Sequence, residues 1–140
     1  MKKIFVLLFV FVFASSFNVN NSKVSFNIVG KWVSKEKKDN GGCFIFDNEG
    51  YATIIKNGER IGGKEFEMKG EKGRMEYTLD KSTNPIKFDI IVTKLGDNKS
   101  MYMKMILKII DKNTIIMASD FNEIRPKAFT KKNSTTLTRE

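Results

Sequence analysis

The sequence predicts an all-β fold: a single antiparallel up-and-down β-barrel of about eight or nine short strands, behind a cleavable signal peptide. Three observations lead there. Apolar and polar residues alternate with period two through most of the chain. Turn-forming residues interrupt this alternation at short intervals. No window carries the three-to-four spacing of a long amphipathic helix.

The chain of 140 residues opens with Lys2 and Lys3, the apolar run Ile4 to Phe13, and Ala14-Ser15-Ser16. A basic start, a short apolar stretch and small residues at the expected −3 and −1 positions predict a signal peptide over 1–16, cut near Ser16. The run is too short to cross a bilayer as a helix, which takes about 20 residues. The product is expected to be exported, periplasmic or secreted, with no transmembrane segment in the mature chain. Residues 17–27 are polar and asparagine-rich and read as a flexible lead-in, leaving 28–140 as the barrel domain.

Within that domain the alternation places strands near 28–34, 42–46, 51–56, 60–68, 74–79, 86–93, 101–110, 114–119 and 135–139. Met75, Tyr77 and Leu79 share one face. Ile86, Phe88, Ile90 and Val92 form a second apolar row, and Met101, Met103, Met105, Leu107 and Ile109 a third. Asp47-Asn48-Glu49-Gly50, Asn57-Gly58, Lys69 to Gly73, Gly96-Asp97-Asn98 and Asp111-Lys112-Asn113 supply the turns, with Asn57-Gly58 the strongest hairpin signal. The best helical stretch is one turn around Asp120 to Glu123, soon stopped by Pro126. Successive hairpins build a sandwich or a barrel, and a closed barrel removes the exposed edges that invite aggregation.

Three segments, in order, carry a resemblance. They are Gly30-Lys31-Trp32, then Tyr77-Thr78-Leu79-Asp80 with Asn84-Pro85-Ile86-Lys87-Phe88-Asp89-Ile90, and finally Arg125-Pro126-Lys127-Ala128-Phe129. Together they resemble the short, stand-alone exported members of the bacterial lipocalin-like, calycin-type β-barrel family. The resemblance marks Tyr77, Asp80, Pro85, Asp89, Arg125, Pro126 and Phe129 as motif residues. It implies a lipocalin-like barrel with an apolar ligand site and assigns no reaction. It also implies that Gly30 and Trp32 plug the closed end of the barrel under a cation, with Arg139 the first choice for that cation and Arg125 the second.

The residue inventory excludes much chemistry. There is no histidine and one cysteine, so neither a Ser-His-Asp system, nor a Cys-His pair, nor a Cys/His zinc site can be assembled. Gly41-Gly42 and Gly62-Gly63 lack the pattern of a phosphate loop and read as turns or bulges. Asp47 with Glu49, and Glu65 with Glu67, have the spacing of a turn or a solvated strand face. No enzyme activity, metal or cofactor is expected. Cys43, in the apolar run Cys43-Phe44-Ile45-Phe46, is expected to be a buried filler.

Two uses fit what is left. In the first, the barrel holds a small apolar ligand against Phe44, Phe46, Phe88, Met101, Met103 and Met105, methionine being flexible enough to suit irregular ligands. In the second, a non-catalytic envelope module uses a basic surface for weak contact with a partner or an anionic surface. Lys+Arg outnumber Asp+Glu 25 to 16, a net charge of +9 that falls to +7 once Lys2 and Lys3 leave with the leader. Lys35 to Lys38, and Lys127 with Lys131 and Lys132, are the clusters that would serve. Export argues against a nucleic-acid partner, and the protein is expected to be a monomer.

Overall fold

A computed structural model of the chain describes residues 25–36, 42–120 and 122–140. The signal peptide, most of the lead-in, and Lys37 and Lys38 lie outside the described residues. The described chain is all-β, with no helix among the described residues. Its strands are β1 (Gly30–Ser34), β2 (Cys43–Phe46), β3 (Ala52–Lys56), β4 (Glu59–Gly62), β5 (Phe66–Met68), β6 (Glu71–Asp80), β7 (Ile86–Lys94), β8 (Ser100–Asp111), β9 (Thr114–Ala118) and β10 (Ser134–Arg139). Asn122, Glu123 and Ile124 form bends, so the expected helical turn is not made there.

Successive strands pair antiparallel except β4 with β5, and β1 pairs with β10, giving the order β4-β3-β2-β1-β10-β9-β8-β7-β6-β5. The ring then nearly closes on itself between β3–β4 and β6. Met75 N–H donates to Gly63 O at 2.9 Å and Tyr77 N–H to Gly50 O at 3.0 Å, while Tyr51 bridges Glu76. The Tyr77 hydroxyl reinforces this seam by donating to Asp47 O at 2.7 Å. Burial, with the nearby Asp47 charge, holds the Tyr77 phenol above its usual pKa, so it remains a donor through the physiological range.

The seam explains the one strand that the alternation misplaces. The stretch expected as a single strand over 60–68 is broken after Gly62, where Gly63 and the following residues turn the chain before β5 begins. Gly62 has φ +124°, and a Cβ there would lie 2.4 Å from the Ala52 carbonyl oxygen. Only glycine lets β4 press this closely on β3 and then bend away.

Alternation delivers one face of each strand to a common interior. Trp32, Phe46, Ala52, Met75, Phe88, Ile90, Met105, Leu107, Ile115, Met117 and Leu137 form the buried cluster. Two further residues, Ile106 and Ala118, face outward by the same register yet are buried. They lie on strands β8 and β9, beside the point where Arg125 reaches the β8 backbone, and Pro126 next to it is buried as well. The β9–β10 connection therefore runs as a strap along the outside of the sheet.

Gly62→Ala and Gly50→Ala separate strain from crowding. Both sites have positive φ, which costs about 1–3 kcal/mol for a non-glycine residue, but a Cβ at Gly50 meets nothing within 4 Å. Gly62→Ala is expected to lower the urea midpoint clearly more than Gly50→Ala. Equal losses would show that the close approach to Ala52 carries no energy.

Candidate functional site: a cavity at the open end

Antiparallel order sorts the connections to two ends. The turns at Asp47–Gly50, Asp80–Asn84 and Asp111–Asn113 share one end with Gly30 and Arg139. The Asn57-Gly58, Lys69-Gly70 and Gly96–Lys99 turns share the other end with Ser34 and Ser134.

The first end is closed. Trp32 is fully buried, and its indole N–H donates to Ile28 O at 2.7 Å. Phe26 packs beside it, with ring centroids 6.1 Å apart. Arg139, paired with Trp32 across β1 and β10, holds its guanidinium carbon 4.3 Å from the centre of the indole ring. The same guanidinium donates to Val29 O and Asn27 O at 2.6 Å each, and to Lys112 O. Gly30 makes room for it: a Cβ there would lie 2.8 Å from one guanidinium nitrogen. Contacts of this kind between a cation and an indole contribute about 0.5–2 kcal/mol.

The opposite end holds a cavity of about 400 Å³. Phe44, Ile54, Met103, Met105 and Met117 form its apolar wall, and Ser34, Lys56, Ser119, Lys132 and Thr135 stand among the polar residues around it. Its size lies within the usual range for small-molecule sites, about 300–1,000 Å³. The placement follows from the fold. Large rings fill the closed half, whereas β8 and β9 supply flexible methionines toward the open half.

The residues proposed from sequence as a lining separate into three groups. Phe44, Met103 and Met105 border the cavity. Phe46 and Phe88 belong to the solid core instead, meeting edge to face at 5.4 Å and 85°, with Tyr77 4.9 Å from Phe46. Met101 keeps the inward register of its row, opposite Val92, but lies beyond the core on the rim and is 67% exposed. The alternation gave its facing correctly but could not give its height in the barrel. Ile54 and Met117 also border the cavity, beyond the lining that the sequence suggests. Both sit on the inward rows of their strands, β3 and β9, and that parity was the available signal.

The remaining motif residues hold the scaffold. Asp89, facing outward between Phe88 and Ile90, takes a two-pronged ion pair from Arg125 at 2.7 and 3.0 Å, and Arg125 also donates to Met105 O at 2.6 Å. Arg125 thus fastens the strap and leaves Arg139 alone over the indole. Asp80 caps its own turn, accepting from the Ser82 N–H and hydroxyl, and these bonds hold its carboxyl below the usual carboxylate range. Asn84–Pro85 is a cis peptide in the same turn. Pro126 is buried and Phe129 half-buried in the strap. Cys43 is a buried free thiol.

Among the described residues no group of three or more acidic or cysteine side chains is placed to hold a metal ion. Every buried side-chain nitrogen or oxygen among them has a hydrogen-bond partner.

Trp32→Ala is expected to cost roughly 3–5 kcal/mol in chemical denaturation, the usual range for removing a large core ring. An unchanged midpoint would mean that the closed end does not depend on the indole. Asp89→Ala, which strands the Arg125 guanidinium, is expected to cost about 2–3 kcal/mol. In a double-mutant cycle with Arg125→Met the pair should show a coupling of about 0.5–3 kcal/mol; strict additivity would rule out the strap as a fastened element.

Compared with known proteins, the chain matches no family model, no curated protein and no solved structure.

Proposed function

We propose that this protein is an exported, lipocalin-like binder of a small apolar ligand and performs no catalysis. One observation carries the reading: a cavity with a mostly aliphatic, aromatic and methionine wall opens at one end of a barrel whose other end is sealed by Trp32 and Arg139. A site of this shape strips water from an apolar molecule, and the thioethers of Met103, Met105 and Met117 adapt to its outline. The hydroxyls and lysines around it suit a molecule whose one polar end remains near solvent. The inventory of side chains supports binding over chemistry, since the histidine and thiolate systems that drive most hydrolytic and metal-assisted reactions are missing from the sequence. The Gly-x-Trp, Tyr-x-Leu-Asp and Arg-Pro-x-x-Phe segments support the family reading. Their residues occupy the closed end, the seam and the strap, where a barrel needs fixed joints.

Thermal unfolding with and without a panel of fatty acids, isoprenoids and haem tests this function. A true ligand at about 100 times its Kd adds roughly 2.7 kcal/mol of stability. Met117→Trp, which places an indole in the cavity, should abolish that gain while the unliganded protein still unfolds cooperatively. Absence of stabilisation across the panel, with no small molecule retained in native mass spectrometry, would overturn the proposal.

A further inference from the structure

We propose that the open end of the barrel is a docking surface for an anionic lipid bilayer. Two independent features of that end point there, and neither depends on what the cavity holds.

The first is the distribution of charge between the two ends. The closed end is balanced: Asp47, Glu49, Asp80, Asp111 and Glu140 stand against Lys31, Lys81, Lys87, Lys112 and Arg139. The open end carries Lys35, Lys56, Lys69, Lys94, Lys99, Lys131 and Lys132 against Glu36, Glu59, Glu71, Asp97 and Asp120. Glu71 is taken up by Lys94 at 2.9 Å, and Asp97 lies 3.9 Å from Lys99. Lys56, Lys69 and Lys132 are exposed and form none of the ion pairs found among the described residues, although Glu59 stands opposite Lys56 across the hairpin. They come from separate connections spaced around the ring, so a flat anionic surface can meet them together. Each basic residue held near such a surface is attracted by its negative potential.

The second feature is apolar. Met101 and Met68 are exposed on the rim, at 67% and 47%, on the inward-facing rows of β8 and β5. They lie above the core and leave their thioether chains in water. A bilayer interface buries such side chains while neighbouring lysines extend their ammonium groups to the headgroups. A soluble polyanion would satisfy the lysines and leave the methionines wet. Charge and exposed methionine thus occur together at the open end and favour a lipid surface as occupant.

The test compares equal charge changes at opposite ends of the full chain, using phosphatidylcholine vesicles with and without phosphatidylglycerol. One variant combines Lys56→Glu, Lys99→Glu and Lys132→Glu; the other combines Lys81→Glu, Lys87→Glu and Lys112→Glu. Their net charge is identical, and any contribution of residues 1–24 is common to both. The open-end variant should partition to anionic vesicles roughly a hundredfold more weakly than the parent, the closed-end variant only severalfold. Equal losses would overturn the proposal, because net charge alone would then govern binding. Met101→Trp supplies a second reading that survives even if the triple variants misfold. Its emission should be quenched by brominated lipid in anionic vesicles, while the parent, whose only tryptophan is Trp32, should stay unquenched. A bound but unquenched Met101→Trp protein would overturn lipid docking. So would lysine-dependent binding to heparin without such quenching, which would identify a soluble acidic partner.

Discussion

Arg139 joins the beginning of the described chain to its end. One guanidinium lies over the Trp32 ring, donates to the carbonyls of Asn27 and Val29 ahead of β1, and reaches the Lys112 carbonyl in the β8–β9 turn. Those groups belong to segments far apart in sequence, brought together only when β10 has paired with β1. The guanidinium carbon lies 4.3 Å from the ring centre while its N–H groups donate to three backbone carbonyls, a combination that a lysine ammonium could not reproduce. With this end fixed, the inward rows of all ten strands point at one axis. The cavity at the other end then exists because nothing comparable fills it.

The distribution of bulk along that axis sets what the barrel can hold. Trp32, Phe46, Phe88 and Tyr77 fill the closed half with rings at edge-to-face and tilted angles, a packing that leaves little room to deform. Toward the open half the wall changes to Met103, Met105 and Met117 with Ile54 and Phe44. One strand, β8, passes from Leu107 through Met105 and Met103 to the exposed Met101, moving from solid core to cavity wall to rim in three steps of two residues.

Much of this was legible in the chain. Asn57-Gly58 fixes the β3–β4 hairpin and hence the parity of Ile54, and the rows through Phe88 and Met105 follow from alternation alone. The pairing of Trp32 with Arg139 was visible only through the resemblance of Gly30-Lys31-Trp32 to a known motif. Alternation reports which way a side chain faces and is blind to its height along the axis. For that reason Met101 and Phe46 were grouped with Met103, although one is on the rim and the other in the core. The break after Gly62 was hidden for another reason. Its cause is the Ala52 carbonyl, a backbone atom ten residues away that leaves no mark on hydrophobic pattern. The strap was hidden too: the resemblance marks Asp89 and Arg125 separately, but their bond spans 36 residues and no local pattern pairs them.

The seam at β4 and β6 has a mechanical consequence. Elsewhere around the ring paired strands share ladders, interrupted only by a bulge near Ile109–Asp111 between β8 and β9, but here a few backbone bonds and the Tyr77 hydroxyl span the gap. The two sides of that gap are also joined covalently, because β4 runs into β5 through Gly63 and the residues after it. The circumference can therefore widen at one line without releasing a free strand, like a belt let out at its buckle.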